Sequence, residues 1–326
     1  MSFNKEIEPL LKEDHNRFVL FPIKYQDIYD LWKLSLASFW TAEEIKFSKD
    51  TNDWNNKLND DERFFIKNIL AFFAFSDGIV NENLAINFSN EIQVMEARNL
   101  YYTQLMIESI HGEVYSKYID TLVRDKSEKD ALFNSMTTNP IVSKKASWAL
   151  KWVTNGTFPE RLLAFGVIEG VFFSGSFCAI FWLKQRNLMP ALVQGNHFIS
   201  RDESLHCETC VLLYSKLVQK LPQETVHSIF MEAYVIEKEF ITKSLPVSLI
   251  GMNSSSMIRY IEFICDYWLV KLNYAKLFNT PNPFPWMDYI SLETKTSFFE
   301  KDETNYSAAN IGNTTQEMSF SLEEDF

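Results

Sequence analysis

Glu108-Ser109-Ile110-His111 and Glu203-Ser204-Leu205-His206 are one four-residue pattern written twice. On a helix, positions i and i+3 share a face, so each Glu-x-x-His offers a carboxylate and an imidazole in the same direction. A single copy is weak, because Glu and His often flank a solvated face. Two copies need inward-pointing partners, and the chain supplies them. Asp77 lies in Leu70-Ala71-Phe72-Phe73-Ala74-Phe75-Ser76-Asp77-Gly78-Ile79-Val80, and Glu169 in Phe165-Gly166-Val167-Ile168-Glu169-Gly170-Val171-Phe172-Phe173. Each is an acid in a segment that is apolar almost all round, where a carboxylate must neutralise, find a partner or bind a metal. Neither segment brings a Lys or Arg onto that face, which disfavours a plain ion pair.

The order along the chain is acid, Glu-x-x-His, acid, Glu-x-x-His. Asp77 precedes Glu108 by 31 residues and Glu169 precedes Glu203 by 34. That spacing reads as a helical hairpin used twice, and it predicts an all-α, ferritin-like helical bundle with a dinuclear metal site inside a four-helix core. The expected ligands are Asp77, Glu108, His111, Glu169, Glu203 and His206. Four carboxylates and two imidazoles suit iron or manganese, whereas zinc more often recruits thiolates. Both halves supply ligands, so residues 1–290 form one domain, with an extended segment up to about residue 24.

Composition agrees with a large helical core. Of 326 residues, 46% are hydrophobic and 28 are Phe, while only 9 Gly and 10 Pro occur, which argues against a turn-rich sandwich or barrel. No glycine-rich phosphate loop is present. The net charge of −12 argues against a nucleic-acid partner. Leu162 to Leu183 imitates a membrane span, but Glu169 near its middle would cost roughly 2.5–3.5 kcal/mol in a bilayer, so a buried helix is expected and no membrane. Four cysteines make no disulfide framework, and Met1 to Glu6 lacks a signal peptide's apolar stretch. A cytoplasmic setting is expected. Helical periodicity runs from Tyr25 through the thirties, Asp60 to Phe88, Glu91 to Val123, Lys129 to Val153, Pro159 to Arg186, from Pro190 through Leu213, Glu224 to Lys243 and Ser255 to Leu277. Beyond the Pro-rich run after Thr280 the chain turns polar, and 291–326 reads as a flexible tail.

Tyr115 stands at His111 + 4 and Glu108 + 7, which puts its phenol on the ligand face. Phe173 and Phe177, at Glu169 + 4 and + 8, and Ile199, at Glu203 − 4, would wall it off from water. A tyrosine so placed is either ordinary core or an oxidisable phenol in a dry pocket. The Cys207-Glu208-Thr209-Cys210 motif lies mid-helix, away from the strand–helix setting of a redox pair, and reads as two small core residues. His15, His197 and His227 have no ligand-spaced partners.

Four strings are similar to the eukaryotic and viral type of the class I ribonucleotide reductase small-subunit family. They are Ala37-Ser38-Phe39-Trp40-Thr41-Ala42-Glu43-Glu44, Ser76 to Asn83, Glu169 to Phe177 and Ile199 to Cys207, within a likeness running from about Asn16 to Phe326. The resemblance implies the same six ligands, two iron ions per chain (or manganese) and a radical at Tyr115. It implies that Trp40 and Asp202, with His111, link the metals towards the surface, and that Tyr306 relays the radical between subunits. The acidic Phe320–Phe326 then resembles a segment docking on a large catalytic subunit that reduces ribonucleotides, and a homodimer is expected. The alternative use of such a site is an oxidase or hydroxylase acting on a small organic substrate. Three features depart from the family pattern: Phe75 where a small residue is usual, Ser204 in place of Gly, and Gln194-Gly195-Asn196-His197-Phe198. Each could alter pocket volume or carboxylate motion.

Overall fold

The computed structural model describes residues 3–14, 18–83, 87–134, 140–244 and 246–287. Among these the regular elements are helical and no strand occurs. Those of six residues or more are, in order, α1 (Gln26–Ala37), α2 (Thr51–Asn56), α3 (Asp60–Asn83), α4 (Met95–Leu122), α5 (Lys126–Phe133) and α6 (Pro140–Asn155). Then come α7 (Phe158–Val167), α8 (Ser174–Gln185), α9 (Pro190–Ser215), α10 (Gln223–Glu239) and α11 (Ser254–Lys271). The chain divides into a compact unit, Met1–Phe284, and a second unit, Pro285–Phe326. The expected tail from 291, with Tyr306 and Phe320–Phe326, lies outside the described residues.

Helix starts follow local chemistry. Glu62 N donates to Asn59 Oδ1 (2.8 Å) and Asn59 N to Glu62 Oε2 (2.9 Å), a reciprocal cap that opens α3. Thr157 N donates to Glu160 Oε2 (2.7 Å), and Pro159 sits in the first turn of α7. Four long segments then pack as the repeated spacing requires, α3 against α4 and α7 against α9, with α1 laid across both α4 and α9. Phe72, Phe73, Phe165, Phe172, Phe173 and Phe181 are fully buried between them. Each such ring stabilises the fold by about 1.5–3 kcal/mol. Gly170 allows two helices to close on the Glu169 segment: a Cβ there would lie 2.6 Å from Trp268 Nε1 and 3.0 Å from Cys207 Sγ.

The apolar stretch is inside the protein, with 94% of its most apolar window buried. It is not one continuous α-helix, however. A π-turn, Ile168–Phe172, separates α7 from α8 and carries Glu169; a second, Phe240–Ser244, follows α10. Two other expectations need correction. The N-terminal segment is not simply extended: Lys5–Ile7 form a 3-10 turn, Leu10 and Leu11 are buried, and Glu8 accepts from Val218 N and Gln219 N, both at 2.8 Å. Helix α11 stops at Lys271 rather than Leu277. Asn273 turns the chain at φ 65°, and Asp266 then accepts from the backbone N–H groups of Leu277, Phe278 and Asn279.

Candidate metal centre

The six expected ligands converge from four segments: Asp77 on α3, Glu108 and His111 on α4, Glu169 on the first π-turn, and Glu203 and His206 on α9. None is more than 6% exposed. They form two adjoining groups. Glu108, Glu169, Glu203 and His206 bring ligand atoms within 4.8 Å of one another, and so do Asp77, Glu108 and His111. Glu108 belongs to both, which is the arrangement a carboxylate shared by two cations requires.

The residues fit a metal pair better than they fit each other. His206 Nδ1 lies 2.8 Å from Glu108 Oε1 and 3.0 Å from Glu203 Oε2; His111 Nδ1 lies 3.1 Å from Glu203 Oε1 and 3.3 Å from Glu108 Oε2. One ring nitrogen carries at most one proton and cannot satisfy two carboxylates at once. Asp77 Oδ2, both Glu108 oxygens, Glu169 Oε2 and His111 Nδ1 are buried without a hydrogen-bond partner. Left to protons alone, the cluster is strained electrostatically. Burial and then the Glu108 charge push Asp77 well above the usual carboxylate range, and burial and then Glu203 do the same to Glu169. Burial opposes the His206 cation, but Glu108 and Glu203 overcome it and push that imidazole up to about 9. Cations at the centre would remove these conflicts together, since carboxylates and neutral imidazoles are then ligands.

Outside the cluster, Asp202 Oδ2 is 3.1 Å from His111 Nε2 and accepts from Trp40 Nε1 at 2.6 Å. His111, Asp202 and Trp40 are therefore one hydrogen-bonded chain. Tyr115 is buried, and its hydroxyl has no hydrogen-bond partner. Phe73 stacks on its ring at 4.7 Å and 7°, and Phe173 and Phe177 pack on Phe73 in turn. Ile199 is buried as well.

Three residues of the site escaped the sequence reading. Phe73 stands at Asp77 − 4 and Gln104, whose Nε2 donates to Glu169 Oε1 (3.2 Å), at Glu108 − 4; helical spacing alone could have found both. Arg201 grips Asp202 Oδ1 with Nε (3.2 Å) and Nη2 (3.0 Å) and carries no spacing signal beyond adjacency. Of the departures, Ser204 is exposed and its hydroxyl donates to Ser200 O (2.9 Å), turned away from the ligands. Phe75 is half-buried, and Phe198 packs on Trp40 at 5.0 Å. Cys207 and Cys210 are buried free thiols directed at Gly166 O and Leu162 O. His227 Nε2 meets Ala275 O at 2.8 Å.

Comparison with known proteins adds a lineage to this geometry. A family model described as ribonucleotide reductase, small chain, matches residues 17–283. The chain is 53% identical to the ribonucleoside-diphosphate reductase small subunit of Dictyostelium discoideum, over 98% of this chain and 97% of that one. The solved ribonucleotide reductase Rnr4 homodimer of Saccharomyces cerevisiae is similar with a TM-score of 0.81 at 39% identity, covering 93% of each chain. The dimanganese protein NrdF of Streptococcus sanguinis, 22% identical with a TM-score of 0.73 over 83% of this chain and 96% of that one, shares the fold.

Proposed function

The chain belongs to the ribonucleotide reductase small-chain family, and from that premise we propose that Tyr115 is the residue on which this subunit stores a one-electron oxidant. It is the small subunit of a ribonucleoside-diphosphate reductase, carries a dinuclear metal site and works with a large subunit. Two iron ions per chain, with manganese the other metal the donor set suits, would supply with dioxygen the oxidising equivalent that Tyr115 receives.

The Tyr115 pocket carries this assignment. Burial, and then the charge of Asp77, push the phenol well above its usual value, so the residue is a neutral phenol and must release its hydroxyl proton as it gives up an electron. Its oxygen has no protein hydrogen-bond partner and Phe73 lies flat against its ring, which supports a phenol whose oxidised form is shielded within the bundle. The hydrogen-bonded chain His111–Asp202–Trp40 offers a route out of the bundle along which proton and electron move together. Tyr306 would continue it to the large subunit, on which Phe320, Leu322 and Phe326 anchor the tail. A second copy of the chain completes the assembly, and the cytoplasm is the compartment that suits its four unpaired thiols.

Beside the cluster, a cavity of about 10 Å³ lined by Ser35, Thr103, Gln104, Asp202 and His206 has room for about one water. The test is electron paramagnetic resonance after ferrous iron and oxygen are added to the intact chain and to Tyr115→Phe. The parent should show a tyrosyl signal. The variant should keep its metal content and lose both the signal and ribonucleotide reduction with the large subunit. Reduction at the parental rate by Tyr115→Phe would overturn the assignment.

A further inference from the structure

We propose that Lys145 is a positioning residue for the metal centre, its ammonium fixing from outside the π-turn that presents Glu169. The inference rests on the reading of the six-residue cluster as a dinuclear site. A π-turn inserts one residue into a helix, and such turns recur at functional sites because they redirect a side chain. The change of direction is large: one residue of α-helix is about 100° of rotation. Relaxation of Ile168–Phe172 towards regular α-helix would therefore swing Glu169 off the cluster or Phe173 out of the Tyr115 pocket. Something outside the turn has to hold it.

Lys145, on α6, is 3% exposed and donates from Nζ to Phe172 O, the last carbonyl of the turn, at 3.2 Å. The same ammonium forms an ion pair with Glu237 of α10, itself wholly buried. It lies 3.7 Å from the centre of the Phe240 ring, which opens the second π-turn, and 4.1 Å from the centre of the Phe72 ring. Phe72 precedes Phe73, the ring stacked on Tyr115. One buried cation thus ties α6, α10, the π-turns at Ile168–Phe172 and Phe240–Ser244, and the α3 wall of the radical pocket. Space is kept for it: a Cβ on Gly175 would come within 2.8 Å of Glu237 Oε1.

A stability role explains the pair poorly. Buried ion pairs are often replaced by apolar side chains of similar volume without loss, and this one is set among phenylalanines. Burial pushes the Lys145 amine down to about 8 and the Glu237 carboxyl up to about 7, the expected mark of two desolvated groups. Even as a neutral amine Lys145 would still donate to Phe172 O.

The experiment separates donor from charge with manganese(II) as the probe on the full-length protein, read by metal content and by the resonance spectrum of the manganese pair. Glu237→Gln removes the acid and keeps the Lys145 donor; it should bind two manganese ions with the parental spectrum. Lys145→Met/Glu237→Met removes both and leaves no unpaired charge. It should melt within a few degrees of the parent, yet bind the second ion at least tenfold more weakly, with an altered spectrum. Should that double variant fail to fold, Lys145→Gln/Glu237→Gln serves in its place: an amide pair, uncharged and too short to reach Phe172 O. A charge-free double variant with parental occupancy and spectrum would overturn the proposal and leave the pair a packing feature. Failure of the parent to bind two ions would instead overturn the metal-centre reading on which it rests.

Discussion

Two sets of acids in this bundle are equally buried and have opposite surroundings. Glu8, Asp50 and Asp266 are at most 2% exposed, as are Asp77, Glu108 and Glu169. The first set is saturated with donors. Asp50 accepts from Ala191 N at 2.8 Å and Leu192 N at 2.7 Å, capping α9; Glu8 and Asp266 accept from two and three backbone N–H groups respectively. The second set leaves Asp77 Oδ2, Glu169 Oε2 and both Glu108 oxygens unpartnered. Burial therefore does not mark a metal ligand. The lack of backbone donors does: Glu8, Asp50 and Asp266 each face N–H groups left free where a helix starts or the chain turns, whichever element carries the acid, while Asp77, Glu108 and Glu169 face helix sides with no N–H to spare and stay available to a cation.

The largest effect should come from Glu108→Ala, because Glu108 alone belongs to both ligand groups. Metal content measured by elemental analysis should fall from two ions per chain to nearly none. Glu169→Ala, which touches one group only, should leave about one. In the parent, free cation at a hundred times its dissociation constant stabilises the fold by about 2.7 kcal/mol per site. Glu108→Ala should lose that rise in melting temperature. Two ions still bound to Glu108→Ala would break the distinction between the two sets.

The reverse pattern is expected of Asp50→Ala. It strips the acceptor from two buried N–H groups at the first turn of α9, a loss of about 2–4 kcal/mol by denaturant unfolding. The folded fraction should still bind two metals, although α9 carries Glu203 and His206, because those residues lie more than a dozen positions along the helix. A halved metal content per folded chain would mean that the two sets are mechanically coupled and the comparison too sharp.

How far the sequence reveals all this depends on the range of the interaction. Asp77, Glu108, His111, Glu169, Glu203 and His206 were legible because helical period and spacing are local, and an acid in an apolar helix is conspicuous in one dimension. Of the expected phenol walls, Phe173 and Phe177 pack on Phe73, which is itself the ring stacked on Tyr115, and Ile199 is buried. Glu8 was not legible, since its donors lie 210 and 211 residues away and nothing near it signals a clasp. The π-turn at Ile168–Phe172 leaves no mark either: a shift from four-residue to five-residue pairing needs no particular composition, so Pro159 to Arg186 reads as one helix. Lys145 and Glu237 each look like a charge on an amphipathic helix until the fold brings them together.

The smallest effect belongs to Ser204, which sits beside a ligand and belongs to neither set. Read from sequence, a serine where the family has glycine could stiffen the backbone next to Glu203 and alter how that carboxylate moves. The structure points the other way. The side chain is exposed, its hydroxyl donates to Ser200 O at 2.9 Å, and the ligands occupy the opposite face of α9. Ser204→Gly should therefore act on the helix alone. Glycine in mid-helix carries more conformational freedom into the unfolded chain, a loss of roughly 0.5–1 kcal/mol against a residue with a side chain, partly offset because a serine bonded back to its own helix is itself a mediocre helix former. Unfolding in urea should show that small decrease, while manganese stoichiometry and the tyrosyl signal stay at parental values. A shift in either metal content or radical yield, without a matching loss of stability, would place Ser204 among the residues that control Glu203 and would show that exposure on the far face does not isolate a side chain from the centre.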